Sequence, residues 1–140
     1  MKIRKVDENH IIENTAKILV CGGRHFDNYD FLEFALDSVI EDNDLDFEQC
    51  EIVSGHCSGA DTLGEEYAIE NGIRCRVFQA NWKTYGIKAG PIRNSEMVSY
   101  LSDSTKPIVV AFISENSRGT RDTVKKAEKA GYSVYVISSR

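Results

Sequence analysis

"EIVSGHCSGADTLGEEYAIENGIRCRVF", Glu51 to Phe78, contains one complete strand–helix–strand unit. Ile52–Val53 and Cys75–Phe78 are short apolar runs with β-branched residues, which is how strands buried on both faces read. Between them Leu63, Tyr67 and Ala68 fall at helical spacing. Gly72 stands where a left-handed residue would end the helix. The turn that enters the helix, Ser54 to Asp61, is bounded by Gly55 and Gly59 and places His56 beside Cys57.

The same alternation extends in both directions. Ile18–Cys21, Ile108–Phe112 and Val134–Ile137 read as further strands. Phe31, Phe34, Ala35, Ser38 and Val39 would line one helix face, and Met97, Val98 and Leu101 another, opened by Pro91. Val124, Ala127 and Ala130 mark a last helix with Gly131 just past its end. Lys125, Lys126 and Lys129 lie toward its C-terminus, where cations suit the helix dipole. Strands and helices alternating in this way predict an α/β protein: a mostly parallel sheet of five or more strands, with helices on both faces. Residues 16–140 read as a single domain. Residues 1–15 are polar and aperiodic and read as an N-terminal arm.

The composition is that of an ordinary globular protein, and 140 residues suffice for one core without staples. A net charge of -5 argues against nonspecific attraction to nucleic acid or anionic membrane. Residues 1–17 mix charges without the apolar core of a signal peptide, and no run is long enough to cross a bilayer. The four cysteines, Cys21, Cys50, Cys57 and Cys75, form no C-x-x-C pair. Cys21, Cys50 and Cys75 lie in or beside apolar runs, where a thiol acts as a small hydrophobe. The expectation is a reduced, cytoplasmic protein with no metal and no resident cofactor.

In open α/β sheets, ligands bind beyond the carboxyl ends of the strands. The loops predicted there are rich in glycine, arginine and small polar residues: Gly22-Gly23-Arg24, Ser54–Gly59, Asn81-Trp82 with Ala89–Asn94, and Ser114–Thr120. Glycine lets backbone approach a ligand, helix N-termini offer free N–H groups, and arginine matches phosphate oxygens. Neither G-x-G-x-x-G after the first strand nor G-x-x-x-x-G-K-[ST] is present, which disfavours an ordinary dinucleotide dehydrogenase or P-loop NTPase.

Four stretches, "GGRHF", "SGHCSGAD", "NWKTYGIKAGPIRNSEM" and "RGTRDTVKKAEKAGY", occur in an order and spacing that resemble the YspA-like branch of the SLOG superfamily. That superfamily includes the LOG enzymes and the DNA-processing protein DprA. The resemblance implies a Rossmann-like three-layer sandwich over about residues 16–137 that binds a nucleotide or nucleotide-derived molecule, with or without catalysis. It implies ligand contacts from Gly22, Gly23, Arg24, Ser54, Gly55, Gly59, Asp61, Trp82, Gly90, Arg93, Asn94, Arg118, Gly119 and Thr120. Relatives that pair through helices make a homodimer the expectation. LOG-type enzymes cleave N-glycosidic bonds with a glutamate in P-G-G-x-G-T-x-x-E, and here Thr123 takes that place, with Asp122 one position early. The arginine that related sequences carry in G-G-A-R-G-A-D is Ser58.

Several residues have a purely structural alternative. Ser58 and Asp61 fit a capping pattern, and Thr120 reads as the N-cap of the last helix. Trp82 suits either stacking on a base or plugging the sheet edge. Neighbouring loop residues rarely face each other, so His56 and Cys57 do not read as a nucleophile–base pair. An enzymatic alternative, N-glycosidic cleavage of a nucleoside phosphate, would need Asp122, Asp61, Glu65 or Glu66 near the anomeric carbon. Single-stranded DNA binding is a second alternative, placed last because of the acidic charge.

Overall fold

The computed structural model describes residues 15–114 and 117–138. Five strands, β1 (Ala16–Gly22), β2 (Cys50–Ser54), β3 (Arg74–Val77), β4 (Ile108–Ile113) and β5 (Ser133–Ser138), form one all-parallel sheet in the order β3-β2-β1-β4-β5. The helices are α1 (Tyr29–Asp42), α2 (Ala60–Glu70), the short α3 (Trp82–Tyr85), α4 (Ala89–Tyr100) and α5 (Arg118–Lys129). This is the three-layer α/β sandwich expected from the sequence. The proposed arm, apart from Thr15, lies outside the described residues. Thr15 itself is buried, and its carbonyl accepts hydrogen bonds from Ser104 and Thr105.

Side chains alternate across the sheet, so each strand feeds two cores. Ile18, Val20, Ile52, Ile108, Val110 and Phe112 pack under α1 and α2. Leu19, Cys21, Val53, Val109 and Ala111 face Met97, Val98 and Leu101 of α4 and its end, and Val124 and Ala127 of α5. β1 sits between them, fully buried from Ala16 to Val20. Gly64 lets α2 lie against it, since a Cβ there would stand 2.9 Å from Val20 Cγ1.

Four local expectations need correction. In α1 the buried stripe is Leu32, Ala35, Leu36, Val39 and Ile40, and Phe34 is 70% exposed. Leu32 and Leu36 are one turn apart over the sheet, whereas Phe31 joins an aromatic group with Phe26 and Phe112. β3 is an edge strand with all four residues exposed, and Cys75 with them, because it has a neighbour on one side only and Arg74 and Arg76 interrupt the apolar run. α4 begins at Ala89 rather than at Pro91, which stands in the first turn where its missing N–H leaves no bond unmade. α5 is entered through Ser117, so Thr120 is buried within the first turn and is not the cap.

Strand order reverses at β1, with β2 on one side and β4 on the other. This topological switch point opens the crevice in which such sheets place ligands. Gly59 controls the approach there. At φ +90° it is the N-cap of α2, so the Ser58–Asp61 capping pattern is not realised. A Cβ on it would stand 2.2 Å from the Gly23 carbonyl oxygen. That same oxygen accepts the N–H groups of Ala60 and Phe26. Gly72, at φ +64°, has nothing within 4 Å of its Cβ position. Gly72→Ala should therefore cost about 1 kcal/mol, the left-handed penalty alone. Gly59→Ala adds a backbone collision and should cost more than about 3 kcal/mol. Chemical denaturation of both variants checks this, and equal losses would show that the Gly23–Gly59 approach constrains nothing.

Candidate functional site

The four predicted loops meet at the carboxyl edge of the sheet through a closed circuit of contacts. The β1 and β2 loops touch at Gly23–Gly59 and where the Ser58 hydroxyl donates to the Arg24 carbonyl, 3.3 Å. The β2 loop meets α4 where Arg93 Nη1 donates to the Gly55 carbonyl at 2.8 Å, with Cys57 Sγ 3.6 Å away. α4 meets α5 where Asn94 Nδ2 donates to the Gly119 carbonyl and to Asp122, 3.3 and 3.1 Å. The circuit closes at Gly23, whose Cβ position lies 2.7 Å from Ser114 Oγ and 3.7 Å from Ser117 Oγ.

Arg93 is the centre of this edge. It is 8% exposed, its Nε donates to Asn94 Oδ1 at 2.9 Å, and its Nη1 is spent on Gly55 and Cys57. Nη2 has no protein acceptor among the described residues. The ion pairs found there join Lys17 to Asp103, His56 to Glu65 and Lys126 to Asp122, so no carboxylate is in contact with the buried guanidinium. Trp82 stands beside it, 58% exposed at the start of α3. A Cβ on Gly90 would lie 3.4 Å from its indole and 3.9 Å from Arg93 Nη2.

Asp61 lies below the β2 loop and is 5% exposed. Its Oδ2 accepts the Cys57 N–H at 3.3 Å, and Gly55 is squeezed between it and Arg93: a Cβ there would be 3.0 Å from Asp61 Oδ2 and 3.1 Å from Arg93 Nη1. Burial pushes the Asp61 carboxyl up to about 7, against the pull of the Cys57 N–H and of Arg93. Cys21, buried at the end of β1, is held as a neutral thiol mainly by burial.

The remaining carboxylates are engaged elsewhere. Burial works to raise Asp122, but hydrogen bonds from Lys126 and Asn94 outweigh it and hold the carboxyl below its usual value. Thr123 is buried and donates to the Gly119 carbonyl one turn back. Glu66 is exposed. Glu65 accepts from the Ser54 hydroxyl at 2.7 Å and from His56 Nδ1 at 2.9 and 3.1 Å. Sequence reasoning missed this His56–Glu65 pairing, although only nine residues separate the loop residue from the second turn of the next helix. Arg24 and Arg118 are exposed, and Gly119 has open space where a Cβ would be. Among the described residues no group of His, Cys, Asp or Glu is placed to hold a metal, and no helix is long and apolar enough to cross a membrane.

Comparison with known proteins agrees with this architecture. The model of the YspA, cpYpsA-related SLOG family matches residues 16–85. The Gene 61 protein of Mycobacterium phage D29 is 36% identical over 90 residues, 59% of this chain and 67% of that protein. The X-ray structure of DNA processing protein A (DprA) from Streptococcus pneumoniae superposes with a TM-score of 0.66 at 16% identity, over 93% of this chain and 52% of that one. The chain thus spans about half of that DprA protein, and the likeness is one of fold.

Asp61 makes stability depend on pH. Its folded value, about 7, exceeds its ordinary 3.8, so between those limits the folded protein holds a proton that the unfolded chain has released. This contribution is present in full at acid pH and is lost as pH rises toward 7. Asp61→Asn should remove the slope. Melting temperatures from about pH 4.5 to about pH 8 should show the variant gaining on the wild type up to neutrality, then levelling. Parallel curves would refute the assignment.

Proposed function

Because the chain belongs to the YspA, cpYpsA-related SLOG family, we propose that this edge binds a nucleotide or nucleotide-derived ligand, its phosphate on Arg93 and its base on Trp82. One observation carries the reading: a buried guanidinium that has, among the described residues, no carboxylate in contact and no acceptor on Nη2. A buried cation is costly unless an anion or several acceptors answer it, and Arg93 has a carbonyl, an amide oxygen and a thiol. A phosphate supplies the missing charge in the planar geometry that guanidinium matches. The exposed indole next to Nη2 gives the base a stacking surface. Gly119, with its first-turn N–H and open surroundings, and the exposed Arg24 and Arg118 offer further phosphate contacts. Binding or sensing fits this edge better than glycosidic cleavage, since Asp122, Glu65 and Thr123 are all spent on protein partners.

A second reading, binding of single-stranded nucleic acid, draws on one feature. From Asn71 to Ser95 the chain has no acidic residue but carries Arg74, Arg76, Lys83, Lys88 and Arg93, with Trp82 and Tyr85 exposed among them. Arg76 is engaged over the Phe78 and Tyr100 rings, which weakens this patch as a backbone track.

Trp82→Ala removes an exposed ring and should leave the ligand-free melting temperature nearly unchanged. It should weaken binding of AMP, ADP, ADP-ribose or a cyclic nucleotide by roughly tenfold, the worth of one base stack. Arg93→Ala should abolish nucleotide-induced stabilisation. If neither variant alters the response, the ligand lies elsewhere. Retention of oligonucleotides that falls steeply with salt, without response to mononucleotides, would favour the second reading.

A further inference from the structure

His56 is one of two non-glycine residues with positive φ among those described, at +62°. A β2-loop residue held in that region needs its surroundings to fix it. Two contacts do so. Its own N–H donates to Ser54 Oγ at 3.0 Å, and its Nδ1 faces Glu65, 2.9 Å from Oε2 and 3.1 Å from Oε1. Ser54 Oγ in turn donates to Glu65 Oε2 at 2.7 Å. Backbone, ring and carboxylate therefore form one closed unit at the end of β2.

Proton placement follows from the partners. An ionised carboxylate only accepts, so Nδ1 carries the hydrogen. In a neutral imidazole that leaves Nε2 as a bare lone pair. The ring is 47% exposed, while Glu65 beneath it is 18% exposed. No described residue donates to Nε2. Gly55 and Cys57, on either side of His56, accept from Arg93 of α4, so the ring stands on the loop that the guanidinium binds.

We propose that His56 is a fixed hydrogen-bond acceptor that reads a neutral donor group of the bound nucleotide, and that Glu65 is its positioning residue. The inference rests on the nucleotide reading above and adds a selectivity to it. An adenine nucleotide presents two kinds of neutral donor to such a nitrogen, a ribose hydroxyl and the exocyclic amine. A ligand lacking the donor would leave Nε2 desolvated and unpaired, which costs more than the bond gains.

The test measures binding of AMP and ADP, their 2′-deoxy forms and their inosine counterparts, at about pH 8. The wild type should prefer the parent nucleotide by about fivefold over the 2′-deoxy form if a hydroxyl is read, or over the inosine form if the amine is read. His56→Gly suits a positive φ and keeps the loop, so it should still bind while losing that preference. Nitrogen-15 spectra of the imidazole should show hydrogen on Nδ1 in the wild type. Glu65→Ala should release this tautomer and erase the preference with His56 still present. Unchanged discrimination in His56→Gly, or hydrogen on Nε2 in the wild type, would overturn the proposal. If the wild type binds none of the six probes, the nucleotide reading falls and takes this inference with it. If it binds all six alike, only the selectivity falls.

Discussion

A guanidinium taken out of water must be answered, and the carboxyl edge of this sheet is built around how Arg93 is answered. Two of its nitrogens are bound to the Gly55 carbonyl and the Asn94 amide oxygen, which fixes the plane of the fork. Neither partner carries a full charge. Among the described residues the buried carboxyl nearby is Asp61, which makes no ion pair with Arg93 and is itself pushed toward neutrality by burial. Positive potential is thus left over and points along Nη2 toward Trp82 and Gly90.

That arrangement needs very close backbone approaches. Gly55 separates Asp61 from Arg93 so closely that a methyl group there would press on both side chains, and Gly59 brings the α2 entry onto the Gly23 carbonyl. The same loops that resemble phosphate cradles in sequence are therefore partly packing devices. Gly23 and Gly59 are consumed in joining β1 to α2, while Gly119 remains open. Glycine-rich composition alone cannot separate these roles, because both require the missing side chain.

Most of the fold was legible because burial on both faces leaves a strong signal. The apolar runs of β1, β2 and β4 and the glycines at 72 and 131 coincide with observed strands and left-handed turns. Legibility failed where a neighbour decides the outcome. Cys75 lies in an apolar run, yet it is exposed because β3 pairs on one side only. Phe34 has the spacing of a core residue, but Leu32 and Leu36 already cover the sheet. The helix entry at Gly59 escaped the capping rules because its first N–H is served by a remote carbonyl, that of Gly23, and at the other entry Ser117 makes no side-chain cap bond. At the site, residue types on the right loops could be chosen from the sequence. The partners that decide their chemistry, such as Lys126 on Asp122 or Glu65 on His56, lie on other elements.

The His56–Cys57 step shows what this means for reading such a loop. In sequence the two side chains compete for attention as a pair, but the left-handed backbone at His56 sends them to different partners. Cys57 turns toward Arg93 and its N–H toward Asp61, so it belongs to the frame. His56 turns outward over Glu65 and touches none of the frame except through its own N–H to Ser54. The frame of Ser54, Gly55, Cys57, Gly59 and Asp61 therefore sets where the loop stands. The side chain at 56 is the part of the loop turned outward, away from the residues that hold Arg93.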